Sequence, residues 1–525
     1  MAEQKNFTEG KILAPLLKFA IPVLFALFLQ SLYGAVDLMI VGKFAEPADV
    51  SGVSTGSQIM MTLTNLVSSL SIGMTVFLGQ KIGERKASEG GAIVANGIML
   101  FMSIGVFLTL FISLFAGNLA GIMNAPVEAY DLTVTYIRIC GAGAVVIISY
   151  NLIGSIFRGL GDSFTPLVTV LIACICNIIG DLILVAGFDM GTKGAAIATV
   201  AAQLISVLIS LWLISKKELP FKLDRASFKM EKGIIKKIVF IGTPVALQDF
   251  LVGISFLVIL AIVNSLGVIA SAGVGVAEKV CAFIMLIPSA FAQSMSAFVS
   301  QNRGAGKYSR AFKGLRYAIG VSFIFAVFMF YIAFFHGDFL SSIFAKDPAV
   351  VDASWDYLKA YAIDCLFTCF LFCFIGFFNG MEYTRFVMIQ GIIGAFLVRI
   401  PVSYIMSKQE PVSLFHIGLA TPCSTVTQIL MCFVCLYSFL KPKLASGGPY
   451  CDCGYKKKAS TSSVAYDKEN KRPVIKASIC NGEMVAGFQD IHTGAFEEVQ
   501  LVRNDDEIRD FMHQYGITEK VEKIY

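Results

Sequence analysis

Twelve runs of about twenty or more mostly apolar residues follow one another between positions 14 and 440, and they constrain the fold more than anything else in the chain. A run of that length is what an α-helix needs to cross a ~30 Å hydrocarbon core. The runs lie near 14–40, 51–78, 92–115, 133–155, 164–187, 195–215, 235–265, 270–300, 314–335, 356–379, 385–405 and 415–440. Lipid offers no partner to an unpaired backbone group, so helices or a closed barrel are the only solutions. A barrel would need strict alternation of apolar and polar residues, and Val321–Phe335 shows none. The pattern predicts an all-α polytopic membrane protein with twelve transmembrane helices. The polar segment Met1–Lys11 lacks a signal-peptide cleavage pattern, so the first span is expected to be kept.

Charge divides the chain in two. Residues 441–525 hold 13 basic and 13 acidic side chains, so the net charge of +5 belongs entirely to the apolar part. Only 15% of all residues are charged, against about 25% in a typical soluble protein. That excludes a single soluble domain and disorder over most of the length. An excess so small also excludes a basic nucleic-acid binder. Lys and Arg cluster in alternate loops: Lys81, Arg85 and Lys86, then Lys216–Lys232, then Arg303–Arg316. By the positive-inside tendency both termini are expected in the cytoplasm, with the plasma membrane as the site and the bilayer as a partner. Cys365, Cys369 and Cys373 share one helical face and read as small apolar fillers. Cys451 and Cys453 have no second pair at zinc spacing, so no metal, cofactor or disulfide is expected.

The two halves of the apolar part repeat. Gln80-Lys-Ile-Gly83 meets Gln301-Asn-Arg-Gly304 at a shift of 221, as Tyr136-Ile-Arg138 meets Tyr357-Leu-Lys359 and Phe157-Arg-Gly159 meets Phe378-Asn-Gly380. Pro22 meets Pro244 at a shift of 222. Six spans per copy is an even number, so both copies enter from the same side. The expected domains are a six-helix lobe over 1–221 and a second over 222–446. Parallel repeats of this kind suit alternating access, in which two bundles rock about a site between them. A channel would more often be repeated subunits around a pore.

Phe157-Arg-Gly-Leu-Gly-Asp-Ser-Phe-Thr-Pro166, Cys176-Asn-Ile-Ile-Gly-Asp-Leu182 and Gly194-Ala-Ala-Ile-Ala-Thr-Val200 resemble fifth- and sixth-span motifs of the MATE (multidrug and toxic compound extrusion) family. Gln301-Asn-Arg-Gly-Ala-Gly306 resembles its repeat signature. The resemblance covers about 10–440. It implies twelve helices in two lobes and cation-driven export of amphipathic, often cationic, small molecules, not an enzyme. The absence of a GxxxxGK[ST] motif argues against a primary pump.

An acid inside a membrane costs at least ~2.5–3.5 kcal/mol and asks for a reason. Asp37, Asp181, Asp249, Glu278 and Asp364 fall within spans. At 1.5 Å per residue, Asp37 and Asp181 lie roughly 34 and 26 Å along the first and fifth spans, both in the outer half. Asn177 shares a face with Asp181, and Thr199 stands about a turn into the sixth span. Two carboxylates, an amide and a hydroxyl therefore converge. Such a cluster can share a proton between acids or surround Na⁺ with oxygens; it can also simply join three helices. Resemblance to the DinF-like branch implies that Asp37, Asn177, Asp181 and Thr199 form the N-lobe site for the coupling ion, H⁺ or Na⁺. It also implies that Pro22 bends the first helix in response.

The second half departs from that pattern. The repeat sets Val258 or Ile259 opposite Asp37 and Ser403 opposite Asp181. The NorM-like branch keeps an acidic pair on spans seven and ten, where this chain has Val252 and Thr368. Gln248, Asp249, Glu278 and Asp364 are instead expected to line an anionic substrate cavity. A lipid-linked saccharide flippase of the same superfamily would show extra spans and a basic cavity. A receptor or scaffold would signal through the tail.

That tail predicts a small α+β module. Residues 447–463 read as a linker, and 464–525 as a βββα unit. Val474–Cys480 and Met484–Phe488 flank the hairpin signal Asn481-Gly482, and His492-Thr-Gly494 turns into Phe496–Arg503. Asn504, Glu507 and Gly516 have the pattern of caps for a helix over Asp505–Tyr515. Its expected role is docking a regulatory partner.

Overall fold

The computed structural model describes residues 7–440 except 218 and 224, then 467, 470–477, 484–502, 508, 511–512, 515, 517 and 521–524. The chain divides into two compact units, Met1–Cys453 and Gly454–Tyr525. Among the described residues, the first unit has eleven helices and one bent pair that are long and apolar enough to cross a membrane. In chain order they are α1 Leu13–Phe44, α2 Pro47–Gly83, α3 Ala87–Ile122, α4 Val127–Ala142 with Ala144–Gly159, α5 Phe164–Gly187 and α6 Gly191–Lys216. The second half supplies α7 Lys232–Asn264, α8 Val268–Gly304, α9 Tyr308–Phe335, α10 Pro348–Gly380, α11 Thr384–Met406 and α12 Leu414–Ser438. Every predicted run falls on one of them. The two pieces of α4 meet at Gly143 at 55°. Leu114, Ile324 and Leu397 point outward and are more than two-thirds exposed, a face that suits lipid and not water.

Local chemistry sets the helix ends. Pro47 and Pro348 occupy first turns, where a missing N–H costs nothing. Asp347 accepts the Ala349 N–H at 2.9 Å as a cap for α10. The stretch Phe157–Pro166 is such a junction too. Gly161 turns the chain at φ +82°. Asp162 then accepts the N–H groups of Phe164 and Thr165, both at 3.0 Å, and the Lys217 ammonium at 2.7 Å. One acid thus starts α5 and ties it to the end of α6.

The halves meet through α1 and α2 on one side and α7 and α8 on the other. Backbones approach closely there. A Cβ on Gly83 would land on the Gln301 carbonyl, and one on Gly304 on the Gln80 carbonyl. The same holds for Gly73 against Ile238 and Gly242 against Leu70. Lys237 donates to Gln80 at 3.1 Å, Gln301 to the Gly159 carbonyl at 3.0 Å, and Ser69 to Asp249 at 2.5 Å. Among the described residues no hydrogen bond joins the halves nearer the opposite end than Ser69–Asp249. The molecule is therefore in a state closed at the end that carries the basic loops. Leu16, Phe19 and Val23 of α1 enter the core of the second half. Ahead of them, Arg310 donates to the carbonyls of Phe7, Glu9, Gly10 and Lys11, and Lys307 to that of Thr8.

The second unit contains a sheet ordered β3-β2-β1-β4, with β1 Lys471–Ala477, β2 Met484–Asp490, β3 Phe496–Val502 and β4 Glu522–Ile524. β1 and β3 flank β2 antiparallel, and β4 lies parallel to β1. The fourth strand corrects the expected βββα order. Three residues at the end of the chain are too short a run to signal a strand, and their pairing with β1 is what fixes them. Asp490 accepts the N–H groups of His492 and Thr493 to make the expected second turn. Ile475, Ala486, Phe488, Val502, Phe511 and Val521 form the core. Phe511 and Met512 are helical; Asn504, Glu507 and Gly516, the Asn481-Gly482 turn and the 447–463 linker lie outside the described residues.

Candidate cation and substrate sites

Asp37 on α1 and Asp181 and Asn177 on α5 are all buried, and they converge with Thr199 of α6. Asn177 sits one turn before Asp181, so both side chains leave α5 on the same face. Its amide donates to the Thr199 hydroxyl at 3.5 Å. Asp37 and Asp181 are neighbours across the α1–α5 contact, each within electrostatic range of the other. Otherwise Asp37 Oδ1, both Asp181 oxygens and Asn177 Oδ1 meet no hydrogen-bond donor. Buried acceptors without partners are rare. Here four of them lie on two adjacent helices, oxygens of the kind that hold a proton or a hard cation. A π-turn over Leu182–Gly187 follows Asp181 directly, an irregularity frequent at functional sites.

Four residues of this site escape a search for acids. Tyr136 of α4 reaches Thr199, Tyr33 of α1 meets Gln203 of α6, and Cys140 lies beside Tyr136. Tyr33, Tyr136 and Cys140 all stand within electrostatic range of Asp37. The available signal was spacing: Tyr33 is one turn before Asp37, and Gln203 one turn after Thr199. Pro22 lies inside α1, which remains helical from Leu13 to Phe44.

The expected substrate residues do not share one cavity. Asp249 alone faces the cleft between the halves, where Ser69 of α2 binds it. Gln248, the next residue on α7, is buried and turned toward Gly391 of α11. Adjacent residues on a helix point about 100° apart, which separates the two. Asp364 is buried in the second half, accepting from Thr368 at 2.8 Å, with Thr425 close by. Glu278 is half-buried on α8, in the same neighbourhood as Tyr357, Tyr361 and Cys281. The cleft is also not purely acidic. A cavity bordered by Gln30, Tyr150, Asn151, Arg158 and Thr169 of the first half and Gln293 of the second has Arg158 in its wall. Cys365, Cys369 and Cys373 are buried in the helix core.

Two six-helix halves closed against each other at one end, with partnerless acids inside one of them, define a transporter of the alternating-access kind. The sequence comparison names which. The MatE family profile matches residues 22–183 and 244–405, one copy on each half, and the chain belongs to that family of transporters. The two matches are displaced by 222 residues, the shift that relates Pro22 to Pro244. Among relatives, the probable multidrug resistance protein YoeA of Bacillus subtilis is 22% identical over 79% of this chain and 91% of its own. The multidrug export protein MepA of Staphylococcus aureus is 23% identical over 76% and 88%. A solved outward-facing structure of a multidrug resistance MATE transporter superposes with a TM-score of 0.80 at 18% identity, covering 85% of this chain and all of that one.

Proposed function

We propose that the protein is a secondary active multidrug exporter that moves amphipathic, often cationic compounds by antiport with H⁺ or Na⁺. The carrying observation is the pair Asp37–Asp181, buried among acceptors that have no donor. A cation bound there offsets one of the two facing negative charges and relieves their repulsion, and its loss leaves like charges that repel in a low-dielectric site. That repulsion is a differential interaction between two conformations, as a coupled transition requires. Asn177 and Thr199 supply further ligands, and Pro22 weakens the α1 hydrogen-bond ladder so that the helix can bend. The names of the relatives YoeA and MepA support the substrate class. Asp249 on the cleft wall gives a cationic substrate a Coulomb partner, while Arg158 sets a limit on how much positive charge the cleft welcomes.

In this reading the closed end and both termini lie on the cytoplasmic side of the plasma membrane, an orientation that the basic loops support. The module after the linker serves as a docking site for a regulatory partner. The test is efflux of a fluorescent cation from proteoliposomes under separately imposed proton and sodium gradients. Uphill movement under one of them, lost in Asp181→Asn, supports the reading. Movement only down the substrate's own gradient would sink it.

A further inference from the structure

The repeat pairs the cation-site residues of the first half with a different set in the second. At a shift of 222, Tyr33, Asp37, Asn177, Asp181, Thr199 and Gln203 correspond to Ser255, Ile259, Arg399, Ser403, Thr421 and Thr425. At 221, Tyr136 and Cys140 correspond to Tyr357 and Tyr361. Both carboxylates are gone, and an arginine stands where the first half has Asn177.

Arg399 is 6% exposed, in the middle of the second half's helix bundle. A π-turn over Ile393–Arg399 ends on it. Its guanidinium donates to Ser255 Oγ at 3.2 Å and lies 4.5 Å from the centre of the Phe256 ring. It is within electrostatic range of Tyr357 and Tyr361. Those are the repeat counterparts of Tyr33, Tyr136 and Cys140, the groups that surround Asp37 in the first half. The guanidinium therefore reaches the second half's version of the cation site. Asp364 of α10 provides negative charge nearby, held by Thr368, and Glu278 of α8 acts on the same tyrosines. No direct ion pair joins it to Arg399 among the described residues. Asp364 Oδ1, Arg399 Nε, Ser403 Oγ and Thr421 Oγ1 are buried without partners.

We propose that Arg399 is a resident cation: its guanidinium permanently fills, in the second half, the place that H⁺ or Na⁺ fills and leaves in the first. A guanidinium stays charged at any physiological pH and cannot dissociate from its chain. The second half is then a fixed-charge copy of a switchable site, and the coupling cation enters the first half alone. The inference rests on the proposed antiport for its role in transport, but the binding chemistry can be read without transport.

The experiment measures uptake of radiolabelled Na⁺ and of protons by the purified full-length protein in lipid nanodiscs, alongside its melting temperature. Asp364→Asn in the otherwise unaltered chain is expected to leave cation uptake unchanged, because its cation is already supplied. Arg399→Asn, which restores the residue of the first half, is expected to gain one further cation per molecule. That gain should vanish in the double variant with Asp364→Asn, and Arg399→Lys should show none. Reduced uptake in Asp364→Asn alone, or no gain in a stably folded Arg399→Asn, overturns the proposal. If Arg399→Asn does not fold, the Asp364→Asn measurement decides by itself. Failure of the antiport reading has a separate signature: Asp181→Asn would then keep the parental uptake.

Discussion

The two halves of the membrane body share helix order, a bend-permitting proline and a reciprocal glycine contact, yet the cluster around Arg399 in the second half holds a fixed cation and the cluster around Asp37 and Asp181 does not. Around Asp37 and Asp181 the first half collects acceptors without donors. Around Arg399 the second half has a cation of its own, with Asp364 and Glu278 in its neighbourhood. Duplication has kept what the backbone needs, since Gly83 and Gly304 meet carbonyls and tolerate no side chain. It has let the chemistry drift at positions where only side chains meet. A buried polar site is thus a property of a few residues carried by a fold, and the fold alone does not locate it.

The largest expected effect separates the halves directly. Asp37→Asn or Asp181→Asn should reduce concentrative efflux in proteoliposomes to the level of empty vesicles while melting stays cooperative. Ser403→Ala, at the repeat counterpart of Asp181, should leave it intact. Equal losses for both would show that the halves are equivalent in coupling. Next, Gly83→Leu and Gly304→Leu should each destabilise the closed end by overpacking, by about 1–3 kcal/mol. Because the contact is reciprocal, the two changes should be similar in size, as read from melting and from labelling of a cysteine introduced beneath the contact. A one-sided effect would show that the pairing is not symmetric.

Thr199→Ala removes one ligand of modest strength, about 1 kcal/mol, so apparent cation affinity should fall by roughly five-fold. Thr421→Ala, its counterpart, should leave that affinity unchanged; cation titration of transport rate checks both. The smallest effect concerns the tail. A chain stopped after Ser446 should carry the same flux per inserted molecule, because the second unit has its own core. Normal insertion with no flux would place the tail inside the transport cycle.

Most of the architecture was legible because lipid imposes a coarse rule. Twelve runs of sufficient length admit few folds, and the helices occupy those runs. Asp37 and Asp181 stood out because acids are rare in such runs. Arg399 was equally rare there, yet a search confined to acids passed over it between Val398 and Ile400. Tyr33, Tyr136 and Gln203 gave no comparable signal, since tyrosines and single amides are ordinary in spans; only packing shows that they face one site. Gln248 and Asp249 were grouped by adjacency, which a helix undoes within one residue. β4 depends on a parallel pairing with β1 some fifty residues earlier, and no local pattern of three residues can encode that.

The glycine crossing has a consequence for how the two copies can evolve. Each copy contributes one glycine and one carbonyl, and each glycine packs against the other copy's backbone. This crossing behaves as a logical conjunction: it packs closely when both members are correct and loosens when either changes. Neither copy can compensate for the other, so mutations at 80–83 and 301–304 are not independent trials. The segments are the part of the duplication that remains one inheritance, read twice, long after the interiors have gone separate ways.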